Sequence, residues 1–389
     1  MEHENRLKKS CETGRLKCID AFRGMAIAIM LLCANPGNTD RIYPQLRHAK
    51  WNGYTFADLS FPFIIIIMGM VIPYALNRRV EKGISSWNIF AHILIRSVGL
   101  FGVGLFLNGF PIYDFSVIRV PGVLQRIAIT YLITSCVTLV LIYAVKNKVI
   151  QVVIQLGLSL TIILGYSLIM SYVSIPGVGR GVLELEGNLV QNIDLYWLKG
   201  HLYTPNWDPE GIFSTVPAIA TALLGAIAGQ IFIYSTDKKI YKFVCVSTLG
   251  MIIVGIAMFA KVWVPFNKNL WSGSFVLLTA GIAFYLVAVL YYIMEIVKFN
   301  YIFKPLVVLG TNTIVVYLVS EILRKTLWVI PVLDPLTKKT ATLNVWFTNQ
   351  YITPWAGNTL DSFYFSIIYV MLWICIMSSF YNKRFIRRL

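Results

Sequence analysis

Residues 56–76 read Phe56-Ala57-Asp58-Leu59-Ser60-Phe61-Pro62-Phe63-Ile64-Ile65-Ile66-Ile67-Met68-Gly69-Met70-Val71-Ile72-Pro73-Tyr74-Ala75-Leu76, and Asp58 is their one charge. An apolar run of about 20 residues is what a helix needs to cross the hydrocarbon core of a bilayer. Nine further runs stand near 22–36, 90–109, 122–144, 149–172, 212–234, 243–263, 273–294, 303–323 and 362–381. The first is short by that measure, and Asn35-Pro36-Gly37 can break it. The pattern predicts an all-α polytopic membrane protein of about ten transmembrane helices, with both termini on one side.

Composition agrees. Of 389 residues, 57% are AVILMFWYC and 13% are charged, against about 25% charged in soluble domains. That excludes a soluble multidomain enzyme, a disordered chain and a coiled coil. Aromatic residues make up 14%, as interfacial belts of Trp and Tyr require. The formal charge of +16 would suggest nucleic acid in a soluble protein; in a membrane protein it sets topology, and no nucleic-acid partner is expected. With the N-terminus inside, 20 Lys and Arg fall in inner segments, 12 in outer ones, and Arg96 and Arg126 within spans. Both termini are therefore expected in the cytoplasm. Residues 1–20 form a polar tail without the apolar core of a signal peptide, and 21–389 a single membrane domain. The six cysteines (Cys11, Cys18, Cys33, Cys136, Cys245, Cys375) show no CxxC spacing and predict neither a disulfide framework nor a metal site.

Outer loops at 37–55, 173–211 and 327–361 are rich in Trp, Tyr, Asn, Pro and Gly, a surface suited to sugars or peptides. Ionisable groups at membrane depth cost roughly 2.5–3.5 kcal/mol each on insertion scales, so each is a functional candidate. They sort into two tiers. The inner tier holds Asp20, Arg23, His92 and Arg96, with Asp20 and Arg23 three apart on one helical face. Arginines facing a cytoplasmic cavity suit phosphates, which guanidinium binds bidentately. The outer tier holds His48, Asp58, Arg126, Asp208, Glu210 and Glu321. In Asp208-Pro209-Glu210 the order of residues predicts a helix start with Asp208 as its cap. Of the four histidines, His48 leads through Trp51 and Asn52 toward Asp58; an imidazole oriented by a carboxylate is how a general base is built.

Five ordered segments resemble one family. Residues 15–24, Arg15-Leu16-Lys17-Cys18-Ile19-Asp20-Ala21-Phe22-Arg23-Gly24, are similar to an RLxSxDxxRG opening; His48-Ala49-Lys50-Trp51-Asn52-Gly53-Tyr54-Thr55-Phe56-Ala57-Asp58-Leu59 resembles HAxWNGxTxxDL. Pro121-Gly122-Val123-Leu124-Gln125-Arg126, Asp208-Pro209-Glu210-Gly211, and Gly310 through Asn312 to Tyr317 look like the PGVLQR, DPEG and GxN…Y segments. The family is heparan-α-glucosaminide N-acetyltransferase with its bacterial relatives. The resemblance implies transfer of acetyl from cytosolic acetyl-CoA, without a metal, to the amine of a terminal glucosamine-type sugar across the membrane, in a bacterial inner membrane. It carries the catalytic histidine onto His48, with Asp58 orienting it, either as the base that deprotonates the amine or as the nucleophile of an acetyl-imidazole intermediate. Arg23, Arg96, Arg126 and Asn312 would bind coenzyme A, Asn52 or Asn312 would polarise the thioester, and Trp51, Asn52, Asp208, Glu210 and Glu321 would hold the saccharide. A homodimer is a further implication. Two departures stand out: the lysosomal enzyme's lumenal region and additional span have no counterpart, and Ser320 stands where a histidine is expected before Glu321. A transporter of sugars or amphiphiles and a membrane O-acyltransferase are the competing readings. No internal repeat favours the former.

Overall fold

The computed structural model describes residues 16–234, 238–333 and 340–382. His3, Cys11, Arg15 and most of the expected N-terminal tail lie outside the described residues, as does 334–339 of the third loop. The fold is all-α. The main helices are α1 (Lys17–Ala34), α2 (Phe56–Glu81), α3 (Ser86–Gly109), α4 (Val123–Ala144), α5 (Lys148–Tyr172), α6 (Leu189–Leu198), α7 (Thr215–Tyr234), α8 (Lys239–Ala260), α9 (Gly273–Tyr291), α10 (Lys304–Thr311), α11 (Thr313–Val329) and α12 (Asp361–Asn382). Two short antiparallel hairpins decorate the loops, Ser174–Ile175 with Gly179–Arg180 and Pro331–Leu333 with Thr340–Thr342.

Among the described residues, eight helices are long and apolar enough to cross a membrane, or nine if α10 and α11 count as one bent span. The sequence predicted about ten. The difference is α1, whose 18 residues include Lys17, Asp20 and Arg23. α1 is nonetheless a core element, because Cys18, Ala21, Phe22 and Ala26 are fully buried. The expected continuous span at 303–323 is instead broken at Asn312, where α10 and α11 meet at 82°.

The central seam is built from small residues. In lipid the apolar effect does not drive helices together, so close packing must. A Cβ on Gly225 would lie 2.2 Å from the Ile66 carbonyl oxygen, and one on Gly229 would lie 2.1 Å from that of Met70. α2 and α7 therefore touch backbone to backbone. Gly24 and Gly310 do the same for α1 and α10, where added Cβ atoms would lie 1.8 Å from the carbonyls of Leu306 and Asp20.

The loops at the α2 N-terminal end of the bundle are knitted together. Arg41 donates to Asp361 Oδ2 (2.9 Å) and Asn358 Oδ1 (2.7 Å), and Ser362 Oγ donates to Asn38 O at 2.8 Å. Gly53 N donates to Phe266 O at 2.7 Å. Trp51 Nε1 donates to Leu183 O at 2.7 Å, and its ring meets Trp207 edge-on at 5.5 Å. Residues far apart in sequence thus converge on one end of the bundle.

Candidate active site

Thr55 and Asp58 begin α2 with a capping box. Asp58 divides its two oxygens between structure and chemistry. Oδ2 accepts from Thr55 N (2.9 Å), Thr55 Oγ1 (3.1 Å) and Ala49 N (3.1 Å), which holds the incoming loop against the helix start. Oδ1 faces His48 Nδ1 at 2.8 Å. A carboxylate only accepts, so Nδ1 carries the proton and Nε2 keeps its lone pair. Asp58 is buried, whereas the His48 side chain is 55% exposed. The pairing of His48 with Asp58 expected from the sequence is therefore present.

Lys268, on the loop between α8 and α9, completes the cluster. Its Nζ lies 3.1 Å from His48 Nδ1, 3.5 Å from His48 Nε2 and 3.4 Å from Asp58 Oδ1. The loop is pinned by the fully buried Asn267, which accepts from Leu270 N at 2.9 Å and donates to Asn52 Oδ1 at 3.2 Å. Asn52 is thus tied to this loop, and half-buried Trp51 to Leu183 and Trp207.

A second cluster surrounds Asp208 and Glu210. The Arg119 guanidinium grips Asp208 with two bonds of 2.7 and 2.6 Å and also donates to Glu210 Oε2. Asp208 further accepts from Tyr203 N and Glu210 N, both at 2.8 Å. Asp208 caps this turn and not α7, which begins only at Thr215; the predicted helix start is displaced. Burial works to raise the Glu210 carboxyl, but the charges of Arg119, Arg126 and Lys268 outweigh it and hold it below the usual range. Burial likewise opposes the Arg119 charge, yet Asp208 and Glu210 hold its proton more tightly than usual. Glu321 binds Arg324 on α11, with Nη2 at 2.6 Å, and Tyr317 lies within electrostatic reach of Glu321, Glu210, Arg324 and Arg119. Lys268 links the two clusters, since its charge is felt at Glu210.

The residues expected to bind coenzyme A fare differently. Arg23 pairs with Asp20 at 3.5 Å and donates to Gly310 O at 3.3 Å, beside the Asn312 break. Arg96 lies over the Tyr131 ring at 5.1 Å, on an exposed face of α3. Arg126 is enclosed by protein. It donates to Thr215 Oγ1, Pro209 O and Ser214 Oγ at 3.3, 3.1 and 2.5 Å, and it stacks on Trp271 at 4.8 Å. It braces the 208–215 turn. Lys268, Arg119, Asn267 and Arg324 were not singled out in the sequence; each reads there as an ordinary loop or helix-end residue. An open surface hollow between Trp87, Phe90, Leu139 and Tyr143 is lined by none of these site residues.

A domain of unknown function (DUF5009) matches residues 15–182, a stretch that holds His48, Asp58 and Arg126 but not Asp208, Lys268 or Glu321. Mouse heparan-alpha-glucosaminide N-acetyltransferase is 28% identical over 356 residues, 79% of this chain and 54% of the relative. The human protein of that name is 30% identical over 366 residues, 79% of this chain and 53% of the relative. The chain is a distant homologue of these membrane N-acetyltransferases. It spans about half the length of the curated relatives it matches.

Proposed function

We propose that this chain is a transmembrane N-acetyltransferase that moves acetyl from cytoplasmic acetyl-CoA to the amine of a glucosamine-type sugar on the opposite side. The observation that carries the reading is His48 Nδ1 held 2.8 Å from buried Asp58, which leaves Nε2 as the ring's accepting nitrogen. A sugar amine attacks only when deprotonated, and Nε2 is the group that takes its proton. Asp58 holds the ring and its tautomer. Arg23, beside the Asn312 break, is the inner-tier group best placed for coenzyme A. Arg126 is left out of that role because its guanidinium is buried and holds the 208–215 turn through Nε and Nη2. Glu210 and Glu321, each already gripped by an arginine, present their remaining lone pairs to sugar hydroxyls, while Asp208 is committed to Arg119 and the turn.

Acetyl transfer from acetyl-CoA to glucosamine, measured with purified protein in nanodiscs, tests the reading. His48→Ala is expected to lower kcat by about 10²–10⁴-fold with melting temperature unchanged. An alanine variant with wild-type turnover would remove His48 from the chemistry. Uptake of sugar into proteoliposomes without acetyl-CoA would instead support a transporter.

A further inference from the structure

Lys268 has no role in the chemistry above, yet its ammonium lies against both members of the dyad. Its ammonium is 3.1 and 3.5 Å from the two imidazole nitrogens of His48 and 3.4 Å from Asp58 Oδ1, and its side chain is only 13% exposed. Withdrawing an ammonium from water is costly unless it is paired, and one carboxylate oxygen at 3.4 Å is a loose pairing. The supporting loop is far better made than that ion pair requires. Asn267 N donates to Ser272 Oγ at 3.1 Å, and Ser272 Oγ donates to Pro265 O at 2.8 Å. Trp271, fully buried, is held in the left-handed region at φ 52 with its indole N–H on Thr221 Oγ1 at 3.0 Å. Strained non-glycine backbone persists only where the surroundings over-determine it, and it gathers at functional sites.

An ammonium has three donors and no acceptor. Because Nζ is 3.5 Å from Nε2, a nucleophile held by Nε2 brings its electrophile within reach of Nζ as well. We propose that Lys268 is a catalytic residue that donates an N–H to the carbonyl oxygen of the acyl thioester, where negative charge develops during attack. This rests on the acetyltransferase reading. The amine nitrogen bonds to the acyl carbon, the C=O electron pair moves onto oxygen beside the Lys268 ammonium, and His48 Nε2 takes the amine proton. Collapse re-forms C=O and breaks the C–S bond. The departing coenzyme A thiolate then takes the proton from His48. Preorganised donors of this kind, aimed at charge that develops only in the transition state, raise kcat more than they lower KM.

The test is steady-state kinetics on the full chain in nanodiscs, with melting temperature alongside, for Lys268→Met, Lys268→Gln and Lys268→Arg. K268M and K268Q are expected to lose about 10²–10³-fold in kcat, with KM for acetyl-CoA and for glucosamine moved less than about threefold. K268R, which keeps a charged donor, is expected to recover at least tenfold of that loss. Turnover of K268M near wild type would overturn the proposal alone. So would a loss carried by KM, or one that tracks a lowered melting temperature in all three variants, since that makes Lys268 a structural support. A wild-type protein that moves no acetyl group would overturn the acetyltransferase reading and this inference with it.

Discussion

Single residues in this protein serve two ends at once, and Asp58 shows how. One oxygen closes a capping box and the other holds His48, so a helix start and the placement of the proposed base depend on the same carboxylate. Asp194 on α6 is a different case. It is fully buried; Oδ1 accepts from Ile212 N at 2.8 Å, while Oδ2 has no hydrogen-bond partner. Burial raises its carboxyl to about 6 from 3.8, with Asp208 adding and the Ile212 N–H and Arg126 opposing. The native state then keeps a proton between pH 3.8 and about 6 that the unfolded chain has released. Stability from this group is full below pH 3.8 and is lost as pH rises through about 6. Asp194→Asn is therefore expected to match wild type near pH 4 and to gain of order 2–3 kcal/mol above pH 7. Melting curves of both proteins across that range check it, and parallel pH profiles would contradict it.

At the scale of elements, the glycine seam between α2 and α7 sets how closely the two central helices lie. A Cβ at Gly225 would fall 2.2 Å from the Ile66 carbonyl oxygen, and backbone cannot rotate aside as a side chain can. Gly225→Ala is expected to destabilise by about 1–3 kcal/mol through overpacking. Gly157→Ala on α5, where nothing lies within 4 Å, is expected to be neutral or mildly stabilising because alanine favours the helix. Thermal melts in one detergent compare the two, and equal shifts would refute the seam argument. The break at Asn312 acts at this scale too. It brings the Gly310 carbonyl to Arg23 and turns Tyr317, Glu321 and Arg324 toward Arg119 and Glu210. Apolar periodicity gave no sign of that break, because both halves are individually hydrophobic enough to read as one span.

For the molecule as a whole, the topology expected from the sequence, with 20 cations inside against 12 outside, makes sidedness testable. In a background free of native cysteines, Lys50→Cys in the His48 loop is expected to react with an impermeant maleimide from outside intact cells. Lys82→Cys, beyond α2, should react only after the membrane is opened; the reverse pattern would invert the proposed direction of acetyl transfer. The sequence by itself determined that the chain lies in a membrane and where nearly every helix runs. Each unpaired backbone group in lipid is costly, so a run of about 20 apolar residues has almost no choice but to be a helix. It also carried the His48–Asp58 pair, because the partners lie ten residues apart on one loop and helix start. Only the tertiary structure decided that Lys268 lies beside His48, 220 residues away, and Arg119 beside Asp208, 89 residues away. Their placement depends on loops meeting at one end of the bundle, a matter of helix packing that no local pattern of residues encodes.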